Sequence, residues 1–186
     1  MNKALSQWLA GCLISACSYA ALFYLNGWLT QYLTYSLGVN WIYLPAGLRL
    51  FLTLIFGVPG AIGIASASFL ISYWGGFSQD VVTCLGIGAI SGFAPYLARM
   101  FVLTNVRLAP DLSDLNLPRL LICTVIYALL SSSLHQWWFA TRALENAGVL
   151  NDFVVMFIGD VLGTILLVAS IKYGLDATRR FRKISP

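Results

Sequence analysis

The chain has 186 residues and a formal net charge of +4, with 59% hydrophobic and only 10% charged residues. A soluble domain usually carries about 25% charged residues, so this composition excludes a soluble domain. It indicates an all-α, polytopic integral membrane protein. The basic excess does not indicate nucleic-acid binding, because it is concentrated next to the final hydrophobic segment. We expect one transmembrane helical domain over residues 1–176 and a basic cytoplasmic tail over residues 177–186.

Six apolar segments, separated by turn-forming or polar connections, predict about six transmembrane helices. These spans are predicted at residues 8–29, 41–56, 61–74, 81–103, 119–139 and 152–172. Nine of the eleven basic residues then lie on the side of the N- and C-termini, which the positive-inside rule assigns to the cytoplasm. Five tryptophans fall at the opposite helix ends, as in an interfacial belt: Trp28, Trp41, Trp74, Trp137 and Trp138.

The second span contains Arg49, and the sixth contains Asp160 at a similar depth. An arginine at bilayer depth costs about 2.5–3.5 kcal/mol on insertion scales unless it is compensated. We therefore predict that Arg49 faces Asp160, with Arg99 nearer the cytoplasm. One interpretation is a static ion pair that fixes helix packing; the other is a polar cavity for a small anionic or zwitterionic ligand. Gly159 and Gly163 are spaced to let the sixth span pack tightly against a neighbour.

Helix-breaking residues lie around both arginines. Pro45 and Pro95 each precede an arginine by four residues, and proline leaves the carbonyl one turn earlier without its usual donor. Gly47 lies beside the first proline. Gly57 and Gly60 predict a tight turn after the second span, and the glycines of the fourth span predict that it is kinked or locally unwound.

His135 is the only histidine and lies in the run Ser131-Ser-Ser-Leu-His135-Gln. It is expected either to make polar contacts near the outer interface or to act as a pH-sensitive group. The sequence contains neither metal-ligand spacing nor a set of catalytic groups, so we expect no metal site, no cofactor and no enzymatic activity. Asp80 is predicted to cap the start of a helix.

Three short elements resemble the bacterial membrane-associated sensor (MASE) domain family. They are Pro45-Ala46-Gly47, Phe56-Gly57 with Gly60, and Gly159-Asp160 with Gly163. The resemblance implies a sensory module in the bacterial inner membrane. Such domains are normally longer and fused to a histidine kinase or a cyclic-dinucleotide output domain. Because this chain ends ten residues after Asp176, we expect it to act through another protein, contacted by span one or by the basic tail.

A second interpretation is a small-solute transporter or a subunit of one. The size, the six predicted spans and the small residues Cys12, Ala16 and Ala20 are similar to substrate-binding subunits of energy-coupling-factor transporters. In those proteins such a face on the first helix docks the transport partner. A third interpretation is a structural membrane subunit without a ligand.

Overall fold

A computed structural model describes residues 3–75, 80–106, 109, 114–144 and 150–184, with side chains to residue 174. The described residues form six α-helices and one short antiparallel hairpin. The helices are α1 (Lys3–Leu29), α2 (Leu44–Phe56), α3 (Val58–Trp74), α4 (Val81–Asn105), α5 (Leu117–Thr141) and α6 (Leu150–Ile184). The hairpin pairs β1 (Thr34–Ser36) with β2 (Val39–Asn40). The all-helical prediction is therefore confirmed, and the tail residues 177–184 continue α6.

Four helices, α1, α4, α5 and α6, are long and apolar enough to cross a membrane. The other two are shorter, with 13 residues in α2 and 17 in α3. At 1.5 Å per residue, α2 is about 20 Å long, against about 30 Å for the hydrocarbon core of a bilayer. The shortest helix is thus the one that contains Arg49.

Helix α2 is the centre of the bundle, since it contacts each of the other five helices. Eight of its thirteen residues are buried, including Arg49. Leu50 and Leu54 pack with Ala98 of α4 and Tyr127 of α5. On another face Leu52 packs with residues of α1 and α3. Most of the apolar surface of this segment is therefore buried in protein, although Ile55 is exposed.

The start of α2 corrects the predicted second span, which was placed at residues 41–56. The backbone N–H of Tyr43 donates to the carbonyl of Gly159 at 3.1 Å instead of entering a helix. Pro45 lies in the first turn of α2, where a missing N–H costs nothing. The prediction that Pro45 leaves an unsatisfied helical carbonyl is therefore wrong, while Pro95 lies inside α4 and does so.

Glycines determine how closely the elements approach. Gly57 alone forms the turn between α2 and α3, with φ +62°, and a Cβ on Gly60 would lie 2.6 Å from the Leu52 carbonyl oxygen. Side chains at Gly159 and Gly163 would collide with the backbone of residues 40–44, so the predicted tight packing of α6 is confirmed. Gly88 and Gly92 of α4 pack against α3, Gly86 packs against Trp138 of α5, and α4 is continuous rather than unwound.

The small-residue face of α1 packs inside the molecule. A side chain on Gly63 of α3 would collide with the carbonyl of Cys12, and Ala16 and Ala20 pack against the core residues of α3. The face that predicted a docking site for a partner is therefore covered by α3. The exposed side of α1 is apolar instead, with Leu13 and Leu25 among its residues.

The hairpin defines one end of the bundle, which we call the hairpin end. Asn26, near the end of α1, accepts from the N–H of Leu44 at the start of α2. Ser36 of β1 donates to Asp152, near the start of α6, at 2.6 Å. All five predicted belt tryptophans lie at helix ends or loops on this side. The predicted connections at 75–80, 104–118 and 141–151 are described only in part, because residues 76–79, 107–108, 110–113 and 145–149 lie outside the described residues.

Candidate functional site

A cavity of about 200 Å³ lies between the hairpin and the helices, and Arg49 forms part of its wall. Helix α1 contributes Tyr19, Phe23, Asn26 and Gly27, and the hairpin region contributes Gly38, Asn40 and Tyr43. The remaining wall comes from α3 to α6: Ser68, Ile71, Ser72, Ile87, Ser91, His135, Phe139 and Met156. Nine of the sixteen lining residues have polar side chains, which is more than the few polar groups that ligand pockets usually have.

Arg49 is held by two phenols. Its Nη2 donates to the hydroxyl of Tyr19 at 2.6 Å and to that of Tyr43 at 2.9 Å. The central guanidinium carbon also lies 5.0 Å from the centroid of each tyrosine ring, within the range of a cation–π contact. Arg49 is only 4% exposed. Its hydrogen-bond partners on the cavity side are therefore these two neutral side chains rather than solvent.

The predicted direct pair of Arg49 with Asp160 is not formed. Among the residues that the structure describes, no ion pair joins the two, although Asp160 lies within electrostatic range of the guanidinium. The reason is that Tyr19 and Tyr43 supply acceptors for Arg49 from α1 and from the segment before α2. The Asp160 carboxyl is 1% exposed, and its Oδ2 has no hydrogen-bond partner in the described part of the chain.

A deep polar cluster surrounds Asp160, and we define it as Arg49, Tyr127, Ser131 and Asp160. The Tyr127 hydroxyl neighbours Arg49 and Ser131, and Ser131 also neighbours Asp160. None of these contacts has hydrogen-bond geometry. Nε of Arg49, the hydroxyls of Tyr127 and Ser131, and Oδ2 of Asp160 are all buried without a partner among the described residues. Unpaired buried polar atoms are rare in proteins and indicate strain, function or bound water.

A second polar wall of the cavity consists of Ser68, Ser91 and His135. Ser68 donates to Ser91 at 2.9 Å, and Nε2 of His135 lies 3.4 Å from the Ser91 hydroxyl. Nδ1 of His135 lies 2.9 Å from the carbonyl of Ser131. Because a carbonyl only accepts, Nδ1 carries the proton, and Nε2 of the neutral ring is an acceptor on the cavity side. His135 is 2% exposed and so lies inside the bundle, not at the interface.

Arg99 lies apart from this site. A Cβ placed on Gly57 would be 3.6 Å from Nη1 of Arg99, so the guanidinium packs beside the carboxyl end of α2. A cation at that position complements the partial negative charge of a helix C-terminus. Arg99 is not among the residues that line the cavity. The structure thus brings Arg49 and Asp160 into one region and gives Arg99 a separate environment.

A rim cluster lies at the hairpin end, away from the cavity, and we define it as Asp80, Thr83, Trp138 and Arg142. Asp80 caps α4 as predicted, accepting from the N–H of Thr83 at 3.0 Å. Arg142 pairs with Asp80 at 2.6 Å and donates to the Thr83 hydroxyl at 2.9 Å. The hydroxyl and N–H of Thr83, with Arg142, lower the pKa of Asp80 from 3.8 to about 2.

Sequence reasoning found Arg49, Asp160 and His135 but missed the groups that surround them. Tyr19, Tyr43 and Tyr127 look like ordinary aromatic residues of apolar segments. One signal was present in α1, where Ser15, Tyr19 and Asn26 recur at spacings of four and seven. That spacing places polar groups on one helix face, and all three residues are buried.

Comparison of the chain with models of protein families, with curated proteins and with solved structures found no match.

Proposed function

We propose that this protein is a membrane-embedded module that binds a small anionic or zwitterionic solute in the cavity beside Arg49. The observation that carries the proposal is the Arg49 guanidinium, which is buried against a cavity with two neutral phenols as its hydrogen-bond partners. A buried cation is stabilised most by a hydrogen-bonded anion. A carboxylate entering the cavity supplies one.

The rest of the wall defines the ligand further. Nε2 of His135 accepts from Ser91, and the hydroxyl oxygens of the serines in the wall suit a ligand that also carries a hydrogen-bond donor, such as a hydroxyl or an ammonium group. Phe139, Ile71 and Ile87 suit a short apolar body. The cavity volume is about 200 Å³, which is enough for several water molecules. The ligand is therefore a small molecule of metabolite size.

We further propose that the six helices lie across the bacterial inner membrane, α2 through only part of its depth because it has 13 residues, with the hairpin end outside and both termini in the cytoplasm. The distribution of basic residues supports this orientation. The exposed tryptophans at the hairpin end, Trp28 at 71% and Trp74 at 76%, support an interface there. In this arrangement the cavity receives its ligand from the outer side.

A sensory module that passes ligand binding to a partner protein fits this arrangement, in line with the MASE-like elements. The transporter-subunit alternative loses its docking motif, because α3 covers Cys12, Ala16 and Ala20. Transport itself stays a second candidate on a different observation, the deep polar cluster that extends from Arg49 to Asp160. Uptake of radiolabelled acetate or glycine into liposomes that contain the purified chain separates transport from sensing.

The binding proposal is tested by thermal unfolding of the detergent-purified chain with acetate, lactate, glycine, succinate and inorganic phosphate. A ligand at 100 times its Kd stabilises the fold by about 2.7 kcal/mol, which raises Tm by several degrees. Arg49→Gln is expected to weaken binding by at least about 30-fold, because losing one partner of a buried charge pair costs 2–5 kcal/mol.

The matched control is Arg99→Gln, which removes an arginine that does not line the cavity. The control is expected to retain the stabilisation by the anion. Loss of the stabilisation in both variants, or an equal response in wild type and Arg49→Gln, would contradict the proposal, as would a panel in which no compound shifts Tm.

A further inference from the structure

Arg49 lies between two polar regions of different character. On one side are the cavity and its two phenols; on the other is the deep polar cluster, whose Asp160 does not line the cavity. The guanidinium uses Nη2 for Tyr19 and Tyr43, while its Nε has no partner among the described residues. The same cation therefore acts electrostatically on a solute in the cavity and on the buried carboxyl.

The Asp160 carboxyl is in an unusual position for an ionised group. A carboxylate inside a bilayer-spanning bundle normally has a paired cation or several donors. Oδ2 of Asp160 has no hydrogen-bond partner among the described residues, and the neighbouring hydroxyls of Ser131 and Tyr127 are also without a partner there. A carboxyl in such a place is stabilised by taking a proton, while the charge of Arg49 favours the ionised form. These opposing effects leave its protonation open to control by a nearby anion.

We propose that Asp160, with Tyr127 and Ser131, is a proton-binding site coupled through Arg49 to anion binding in the cavity. The inference rests on the proposed function. An anion beside Arg49 repels the Asp160 carboxylate and offsets the guanidinium charge that stabilised it. The carboxylate then takes one proton from bulk water and forms a neutral carboxyl. One anion and one proton enter together, so the buried region gains no net charge.

The groups that face Asp160 come from each helix packed against α6. Arg49 of α2 is the cation, and Tyr43, before α2, and Tyr127 of α5 are the titratable neighbours. Phenols titrate near pH 10 and arginine above pH 12, so neither changes charge at neutral pH. His135 lies with Arg49 in the wall of the cavity. Asp152, two turns earlier on α6, is bonded to Ser36 at the hairpin end.

The experiment measures acetate binding to the detergent-purified full chain by calorimetry between about pH 6 and pH 8. Free carboxylic acids titrate near pH 4, so acetate itself stays ionised in this range. Coupling to one proton predicts that the Kd falls by up to about tenfold for each unit that the pH is lowered. In weakly buffered solution, a pH indicator is expected to report the uptake of up to one proton for each acetate bound.

Asp160→Asn is expected to remove both the pH dependence and the proton uptake while still binding acetate. Asp152→Asn is the matched control, since it neutralises another carboxylate of α6 outside the cluster, and it is expected to keep both. If Asp160→Asn fails to fold, Ser131→Ala is the second variant: it removes a polar neighbour of Asp160 and is expected to shift the pH range over which acetate binding takes up a proton, and an unshifted range would overturn the assignment of the proton to this cluster.

Different failures have different meanings. Acetate binding to wild type with a constant Kd and no proton uptake overturns the proton coupling and leaves the binding proposal intact. Proton uptake that persists in Asp160→Asn also overturns it, because another group must then take the proton. Absence of acetate binding at every pH, together with no response to the other anions of the panel, overturns the proposed function and the coupling with it.

Discussion

Two arginines of this protein lie in opposite environments, and their partners differ accordingly. Arg142 lies at the hairpin end, with its side chain 35% exposed, and pairs with the carboxylate of Asp80. Arg49 is 4% exposed and is bound by the phenols of Tyr19 and Tyr43. At the rim, a carboxylate neutralises the cation in the folded protein itself. In the bundle, the phenols accept from Nη2 of Arg49 but do not neutralise its charge, and Nε has no partner among the described residues.

The largest effect is expected from removing both phenols of the buried arginine. In Tyr19→Phe/Tyr43→Phe, Arg49 stays buried but loses its two acceptors, so we expect a loss of about 3–5 kcal/mol in unfolding free energy. Denaturant unfolding in micelles measures it. Tyr24→Phe is the control, because Tyr24 is 64% exposed. A loss below about 1 kcal/mol would mean that Arg49 has other acceptors and would break the contrast with Arg142.

Gly159→Ala acts on the same site through the backbone. Its methyl group would collide with the carbonyl of Asn40 and push away the segment from which Tyr43 reaches Arg49. Overpacking of this kind costs about 1–3 kcal/mol, and the same unfolding assay is expected to show it. Gly27→Ala serves as the comparison, since a Cβ there meets nothing within 4 Å. Equal stabilities of the two variants would show that the segment containing Asn40 and Tyr43 can move away from α6 without a loss of unfolding free energy.

The rim pair is expected to matter much less. Arg142→Gln breaks a partly exposed ion pair, and such pairs contribute about 0–1 kcal/mol to stability. The variant is also expected to keep the response to the anion panel, because Arg142 does not line the cavity. A loss above about 2 kcal/mol, or a loss of anion binding, would show that the rim and the cavity are coupled.

The smallest effect is a pH dependence at the rim. Since the pKa of Asp80 is lowered from 3.8 to about 2 in the folded protein, its contribution to stability is present above about pH 4. That contribution is lost as the pH falls from about 4 to about 2. Thermal unfolding across this range is expected to show a smaller decline in Asp80→Asn than in wild type. Identical profiles would show that Asp80 does not contribute to the pH dependence of stability.

The sequence predicted the helical bundle because hydropathy and turn residues act locally. It also identified Arg49 and Asp160, since a charge inside an apolar segment stands out against its neighbours. It could not predict the partners of Arg49, because nothing in the local sequence distinguishes a tyrosine that faces a cation on another helix from any other tyrosine in an apolar segment. The short α2 was missed for a similar reason: the bond from Tyr43 to Gly159 joins positions more than a hundred residues apart.

The roles of the α1 small residues and of the two prolines depend on which helix faces contact each other in the fold, which the sequence alone does not show. The small residues of α1 correctly predicted a close helix contact, but their spacing is the same whether the neighbour is α3 or another protein. Arg99 and Arg49 share a proline four residues earlier. Only the fold shows that Pro45 lies in the first turn of α2 while Pro95 lies inside α4.

The central claim is that the charge of Arg49, unlike that of Arg142, is available to an anion. It is tested most directly by ¹⁵N NMR of arginine-labelled protein in micelles, with the two signals assigned from Arg49→Lys and Arg142→Lys. Titration with acetate, lactate and glycine is expected to move the Arg49 guanidinium signals saturably for at least one of them, while those of Arg142 stay in place. Unmoved Arg49 signals, or equal and non-saturating shifts at both arginines, would contradict the account.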